Sequence, residues 1–490
     1  MATWDLPIDL DRSREATLYL QIAAALQEAI RRGRLKPGDP LPGTRALAAR
    51  LGVNRNTTLA AYRELAAEGW VETEPDSGTY VSDRAPLDLG PGSTVAAADS
   101  GSWTSPSPAP DEPFFQPPAV ARDGFQLLPD LPDVRLAPTG AIHRAYGRAL
   151  RLQQQRALQP GWDPRGHLHL RASLCQLLRE LRGLAFEPGN LVLTRGIMDT
   201  LHLCSLGLFA PGDAVVVENP GPFRLAESFR HAGARLMSVG VDAEGMDVEA
   251  LAALMEREPV KLVCVTANPQ VPTHAMLSPA RRRRLLALAR ATGASILEAD
   301  LSLGFHPEGR PSLALAADDE EGRVFYLATL EQMLAPGLQV GFLAGPAPDI
   351  KAMAKRHQLI EWPGNLLQEA SLEELFRDGE IHRHLRRIRK VADERRAAMV
   401  DRIQLHLGAF ADVEDPREGL ALWVALRRPE RIDAWVDRCA AKGVVFYPGR
   451  IYEFQRDPLP FVAVGFAAHT VEELNEACLR MADAWREVQG

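Results

Sequence analysis

The pattern is first helical, from residue 18 to about 69. LYLQIAAALQEAIRRG, starting at Leu18, repeats apolar residues at helix spacing and stops at Gly33. After the Pro/Gly turn LKPGDPLPG, the stretch TRALAARLG predicts a short second helix with Thr44 as its N-cap and Gly52 as its end. RNTTLAAYRELAAEG predicts a third, capped by Asn54 and closed by Gly69. WVETEPDSGTYV then reads as two short strands around a turn, with Gly78 at the tight position.

The period disappears over residues 83–124, where Pro, Gly, Ser and Ala dominate. Such a segment buries too little apolar surface to order itself and predicts a flexible linker. From Phe125 onward, short apolar runs rich in β-branched residues alternate with helical patterns. LVLT (191–194), AVVVE (214–218), KLVCVT (261–266), SILEAD (295–300) and RVFYLA (323–328) are the expected strands, and PARRRRLLALARATG is one of the helices between them. This alternation predicts a mostly parallel sheet covered on both faces, over about residues 180–350. Long helices with the strands LALWVAL, VVFYPG and FVAVGF predict a smaller α+β subdomain over about 351–490. The expected class is multidomain α/β.

Composition adds little to that picture and charge adds more. At 490 residues, with 46% apolar and 24% charged residues, the chain has the make-up of a soluble multidomain protein. No apolar run approaches the roughly 18–20 residues that span a bilayer, so no membrane partner is expected. The start MATWDLPIDLDRSREA lacks a basic-then-apolar signal region. Five scattered cysteines without metal-ligand spacing are expected to be reduced thiols in the cytoplasm. His167 and His169 in GHLHL have no third ligand nearby, so no metal site is expected. The net charge of −8 argues against nucleic acid only if charge is uniform. Residues 31–63 instead hold Arg31, Arg32, Arg34, Lys36, Arg45, Arg50, Arg55 and Arg63 against the single acid Asp39. A local basic face outweighs the whole-chain sum for phosphate contact. The run Arg281–Arg284, by contrast, reads as the solvated face of a helix that buries Leu285, Leu286 and Leu288.

Three helices followed by a two-stranded wing describe a winged helix-turn-helix, whose third helix places its first turn at base edges in the major groove. Arg55, Asn56, Thr57 and Thr58 occupy that turn, and Arg63 follows on the same helix. Arg45 and the wing around Gly78 are placed to grip backbone phosphates. LPGTRALAARLGVNRNTTLAAYRELAAEGWVE and SGTYV resemble the GntR family of bacterial transcription regulators over about residues 12–82. That resemblance implies a double-stranded DNA operator as partner and makes Arg45, Arg55, Thr57 and Gly78 DNA contacts. Gly43 stands where the family usually has serine.

Over residues 125–490, GWDPRGHLHLRASL, LTRGIMDTLHL, APGDAVVVENPG, TANPQVPTHAMLSPARRRRLLALA, SILEADLSLGF and TLEQMLAPGLQVGF resemble, in order, fold-type-I pyridoxal phosphate enzymes. A winged helix, a linker and such a domain resemble the MocR subfamily of GntR regulators. The resemblance implies a cofactor site whose positions are altered here. The family's Ser-Lys pair overlays on Glu331 and Gln332, and the arginine after Leu-x-Pro-Gly-Leu on Gln339. Only a lysine amine forms the reversible imine with the cofactor. The aspartate at the ring nitrogen overlays on Ala299 and the tyrosine at the phenolate on Leu301. A one-residue slide makes Asp300 the partner but restores no tyrosine. The phosphate turn Gly-x-Gln-Gln reads Gly196-Ile197-Met198-Asp199, which brings a carboxylate towards a dianion. The carboxylate-gripping arginine overlays on Ala463.

The expected function is therefore a DNA-binding regulator whose aminotransferase-like domain dimerises, is catalytically inactive and forms no lysine aldimine. A pyridoxal phosphate-dependent regulator or aminotransferase that holds the cofactor non-covalently or unusually is the alternative. Gly196, Asn268, Gln270, Asp300, Tyr447 and Arg450 are candidate ligand-lining residues for an unknown small-molecule effector. Asn268 and Gln270 fit equally well as buried supports of their loop, and Arg450 as a replacement anion anchor.

Overall fold

The computed structural model describes residues 8, 10, 17–74, 78–83, 124–153, 163–306, 313–359, 365–416 and 418–489. The chain divides into two compact units, Met1–Asp111 and Glu112–Gly490. Almost all of the expected linker lies outside the described residues. No helix among them is long and apolar enough to cross a membrane.

In the first unit, α1 (Leu18–Arg31), α2 (Thr44–Leu51) and α3 (Arg55–Ala67) close around Ile22, Leu26, Leu47, Tyr62 and Leu65. Asn54 caps α3 by accepting the Asn56 N–H at 2.9 Å, and Gly52 ends α2 in a left-handed conformation. Thr44 is the first helical residue of α2, and Gly43 is the cap, without a side-chain bond. The wing has one strand more than its pattern suggested. β1 (Pro40–Leu41) pairs with β3 (Gly78–Val81), which pairs with β2 (Val71–Glu74), giving the order β1-β3-β2. A two-residue strand is too short to show an alternating pattern.

The second unit is built on an eight-stranded sheet. Its strands are β5 (Leu191–Thr194), β6 (Ala214–Asn219), β7 (Arg235–Asp242), β8 (Gly245–Met246), β9 (Val260–Val265), β10 (Ser295–Asp300), β11 (Val324–Thr329) and β12 (Gly341–Ala344), in the order β5-β12-β11-β10-β9-β6-β7-β8. The run from β11 to β7 is parallel, while β12 and β8 pair antiparallel with their neighbours. One face, with Val192, Val217, Leu297 and Leu343, packs on α6 (Gly196–Leu208), α7 (Phe223–His231) and α10 (Ala347–His357). On the other face, Val263 and Ile296 meet α8 (Val248–Met255) and α9 (Pro279–Thr292). Farther along it, Tyr326 and Phe342 meet α5 (Leu168–Arg182), α11 (Leu366–Arg377) and α12 (Glu380–Leu407). Helix α4 (Thr139–Gln153) lies along α11.

The smaller sheet orders β13 (Ala411–Val413), β14 (Ala421–Leu426), β17 (Phe461–Gly465) and β16 (Tyr447–Pro448), with α13 (Ile432–Ala441) and α14 (Val471–Gln489) over Trp435 and Trp485. Strand β4 (Phe125–Gln126) pairs with β15 (Val444–Val445), so the first segment of the unit packs with its last part. The arginine run departs from a purely solvated face. Arg281 binds Asp242, and Arg282 is buried, donating to the Ala314 carbonyl at 2.6 Å and to Asp318.

Two buried glutamates give the unit a pH dependence. Glu218 accepts the Thr266 N–H and hydroxyl, and Glu298 accepts the N–H groups of Leu315 and Ala316, yet burial pushes both from 4.5 up to about 7. The folded state then holds protons that the unfolded chain has released, so their contribution to stability declines as pH rises from 4.5 towards 7. Glu218→Gln keeps an acceptor without the charge. Its stability relative to wild type is expected to grow across that window, measured as urea midpoints from about pH 4 to 8.

Candidate functional site

Two regions carry the candidate chemistry, one in each unit. In the first, Arg45, Arg55, Asn56 and Arg63 are exposed, Thr57 is half-buried, and Gly78 is exposed at the wing with φ +124°. Thr58 corrects the expectation of a base-facing residue. It is fully buried, and its hydroxyl donates to the Thr44 or Arg55 carbonyl (3.0 and 2.9 Å), locking α3 against α2.

In the second unit a cavity of about 460 Å³ opens at the carboxyl ends of β10 and β11, where parallel α/β sheets usually place ligands. Ala299, Leu301, Glu331, Gln332, Gln339, Tyr447 and Ala463 all line it. Residues from five places in the chain thus converge on one volume. The remaining candidates lie elsewhere. Strand alternation turns Asp300 to the opposite face from Ala299, where it binds Arg182 (Nε–Oδ2 2.6 Å) and accepts the Tyr326 hydroxyl. Gln270 is buried, donating to the Pro220 and Val271 carbonyls and accepting from Thr273, while Asn268 donates to the Leu313 carbonyl. Both brace the loop. Arg450 pairs with Asp433 at 2.9 Å, and Met198 is solvent-exposed.

The first turn of α6 is the most informative part of the wall. Asp199 bends back to accept the Arg195 N–H at 2.7 Å and meets His357 Nε2 at 2.7 Å. Burial acts to raise its pKa, but these partners hold it below the usual carboxylate range. Glu331 instead reaches the turn from β11's end, and its carboxylate lies against Gly196. A Cβ on Gly196 would meet Glu331 Oε1 at 1.9 Å, so only glycine, here at φ +79°, allows that approach. Burial raises the Glu331 pKa, with the Thr329 hydroxyl and the Ile197 N–H acting against it.

Sequence reading missed Asp130, Arg224 and His274, which also line the cavity. Arg224 forms an ion pair with Asp130 and lies 5.5 Å from the Phe223 ring centre. His274 holds φ +62°, and burial lowers its pKa to about 4. The available signal for Arg224 was its place in the first turn of α7, just after the Pro/Gly turn that follows the strand AVVVE at a parallel strand's carboxyl end. Asp130 sits in a loop with no motif, and His274 falls within TANPQVPTHAMLSPARRRRLLALA without a role marked by its residue type.

A family model for aminotransferase class I and II matches residues 137–481. The chain belongs to this family. A second model, bacterial regulatory proteins of the gntR family, matches residues 18–81, so this aminotransferase-family chain is a DNA-binding transcription regulator. It is 28% identical over 479 residues to the probable rhizopine catabolism regulatory protein MocR of Rhizobium meliloti, covering 97% of this chain and 95% of that one. It is also 28% identical, over 398 residues and 81% of each chain, to the pyridoxine biosynthesis regulator PdxR of Corynebacterium glutamicum. Its fold matches a multiple substrate aminotransferase from Thermococcus profundus with TM-score 0.68 and 26% identity, over 75% of this chain and 93% of that one.

The fold implies pyridoxal phosphate, and the residues around this regulator's cavity fit it poorly. The six lysines, Lys36, Lys261, Lys351, Lys355, Lys390 and Lys442, are all described, and none lines the cavity. At the helix start that suits a phosphate, the Glu331 carboxylate already lies against Gly196. Ala299 presents a methyl group on the floor, where a ring nitrogen would need an acid.

Proposed function

We propose that this regulator has lost the covalent cofactor chemistry of its fold and uses the remaining cavity to sense a small molecule. The observation that carries this reading is the Glu331 carboxylate packed against Gly196 at the start of α6, in a cavity without a lysine. A dianionic phosphate there would face the Glu331 carboxylate, and no amine is within the walls to form an imine. Asp130 and Arg224 satisfy each other, and the rest of the wall is largely apolar, as small-molecule sites are. The unit works as a homodimerising effector domain in the cytoplasm, and two winged helices then meet paired operator half-sites. Arg45, Arg55, Asn56, Thr57, Arg63 and Gly78 form the DNA face.

The test is chemical. Full-length protein is incubated with pyridoxal phosphate, reduced with borohydride and weighed intact. The mass is expected to remain that of the bare chain. A pyridoxyl adduct mapped to one lysine at stoichiometric yield overturns the reading.

A further inference from the structure

Four features of the cavity bear on what it binds. Its volume, about 460 Å³, suits a single small organic molecule. Its walls include Ile197, Phe223, Leu301, Tyr447 and Tyr452, which favour an apolar or aromatic body. Among its lining residues Arg224 is matched by Asp130, burial lowers the His274 pKa to about 4, and Glu331 is left over. Two residues with left-handed backbone, His274 (φ +62°) and Gln339 (φ +42°), also line it. A bulky side chain in that region costs free energy, and such strain concentrates at ligand clamps.

We propose that this cavity selects a small organic cation, a primary amine on an apolar or aromatic body, with its ammonium group against Glu331. The inference rests on the reading of the unit as a sensor without a covalent cofactor, and it specifies what that sensor accepts. Glu331 performs two tasks. Its carboxylate, packed against Gly196, occupies the helix start against anions, and its charge in a partly buried site rewards a cation that can hydrogen-bond to it. Arg224 does not offer an anion site of comparable strength, because Asp130 already holds its guanidinium. A carboxylate-bearing ligand of the same size therefore meets one excess negative charge and no unmatched positive one. Ala463 and Ala299 add only methyl groups to the walls, so neither restores a charged anchor.

The test uses full-length protein shown by mass to carry no pyridoxyl adduct, titrated calorimetrically with phenethylamine, hydrocinnamate and inorganic phosphate. An adduct would count against the sensor reading, whereas an anion preference counts against this one. Phenethylamine is expected to bind and the two anions are not. Glu331→Gln should weaken the amine by roughly 10- to 100-fold, as loss of a charge-assisted contact does. Glu331→Ser frees the helix start and is expected to gain phosphate binding, a gain that misfolding does not produce. Wild-type protein that binds hydrocinnamate or phosphate as tightly as the amine, or ignores the amine, overturns the proposal. So does unchanged amine affinity in Glu331→Gln. The wild-type probe series decides the charge preference even if a variant does not fold.

Discussion

Replacing Arg182 with alanine is expected to destabilise the C-terminal unit by about 3–5 kcal/mol, without touching the cavity. Arg182 ends α5 and is 1% exposed. Its Nε lies 2.6 Å from Asp300 Oδ2 and its Nη2 3.2 Å from Oδ1. The same carboxylate accepts the Tyr326 hydroxyl at 2.5 Å and the Ser302 N–H at 3.0 Å. Burial alone raises the Asp300 pKa, yet the Arg182 charge and these hydrogen bonds hold it below the usual range. Removing the arginine leaves a buried carboxylate without its counter-charge, which costs more than the intact pair contributes. Urea denaturation, following the transition of this unit, measures the loss. A shift under about 1 kcal/mol would show that the pair is dispensable. The double change Arg182→Met with Asp300→Leu should cost less than Arg182→Ala, because no charge is left stranded.

At the DNA face, Arg55→Ala is expected to cost about 1–3 kcal/mol on the preferred operator and much less on scrambled DNA. Arg55 is exposed at the first turn of α3, where a recognition helix meets base edges. Arg45→Ala should instead weaken every sequence alike and reduce the salt slope by about one. Arg45 is exposed at the start of α2, suited to a phosphate. Fluorescence anisotropy on operator and scrambled duplexes at two salt concentrations separates the two roles. If both variants keep wild-type affinity, α3 is not the reading helix. Thr58→Val makes the contrast: it should lower the stability of the unit, because its hydroxyl serves the α2–α3 contact.

Much of the fold was legible because its signals are local. Glycine stops and the Asn54 cap mark the three N-terminal helices, and β-branched runs mark β5, β6, β9, β10 and β11 within a residue or so of their observed limits. β7 was not legible. Its pattern RLMSVGVD is largely half-exposed, with only Val239 buried among its apolar residues, so neither alternation nor an apolar run is complete. In TLEQMLAPGLQVGF, the phrase reads as a turn, and the structure uses Thr329 to end β11 and Gly341 to begin β12 antiparallel to it.

The sequence by itself determined the order of modules, the basic face of the first unit and the residue types available to any cofactor site. Only six lysines exist, and none lies in TLEQMLAPGLQVGF. Tertiary structure alone decided which of those residues share a volume. Adjacent side chains on β10 point to opposite faces, so Ala299 meets the cavity while Asp300 joins Arg182 in the core. Likewise, Glu331 reaches the first turn of α6 only because β12 lies between β5 and β11, bringing that turn beside the end of β11. Local pattern carries periodicity and caps, whereas facing and long-range approach depend on how the strands are ordered in the sheet.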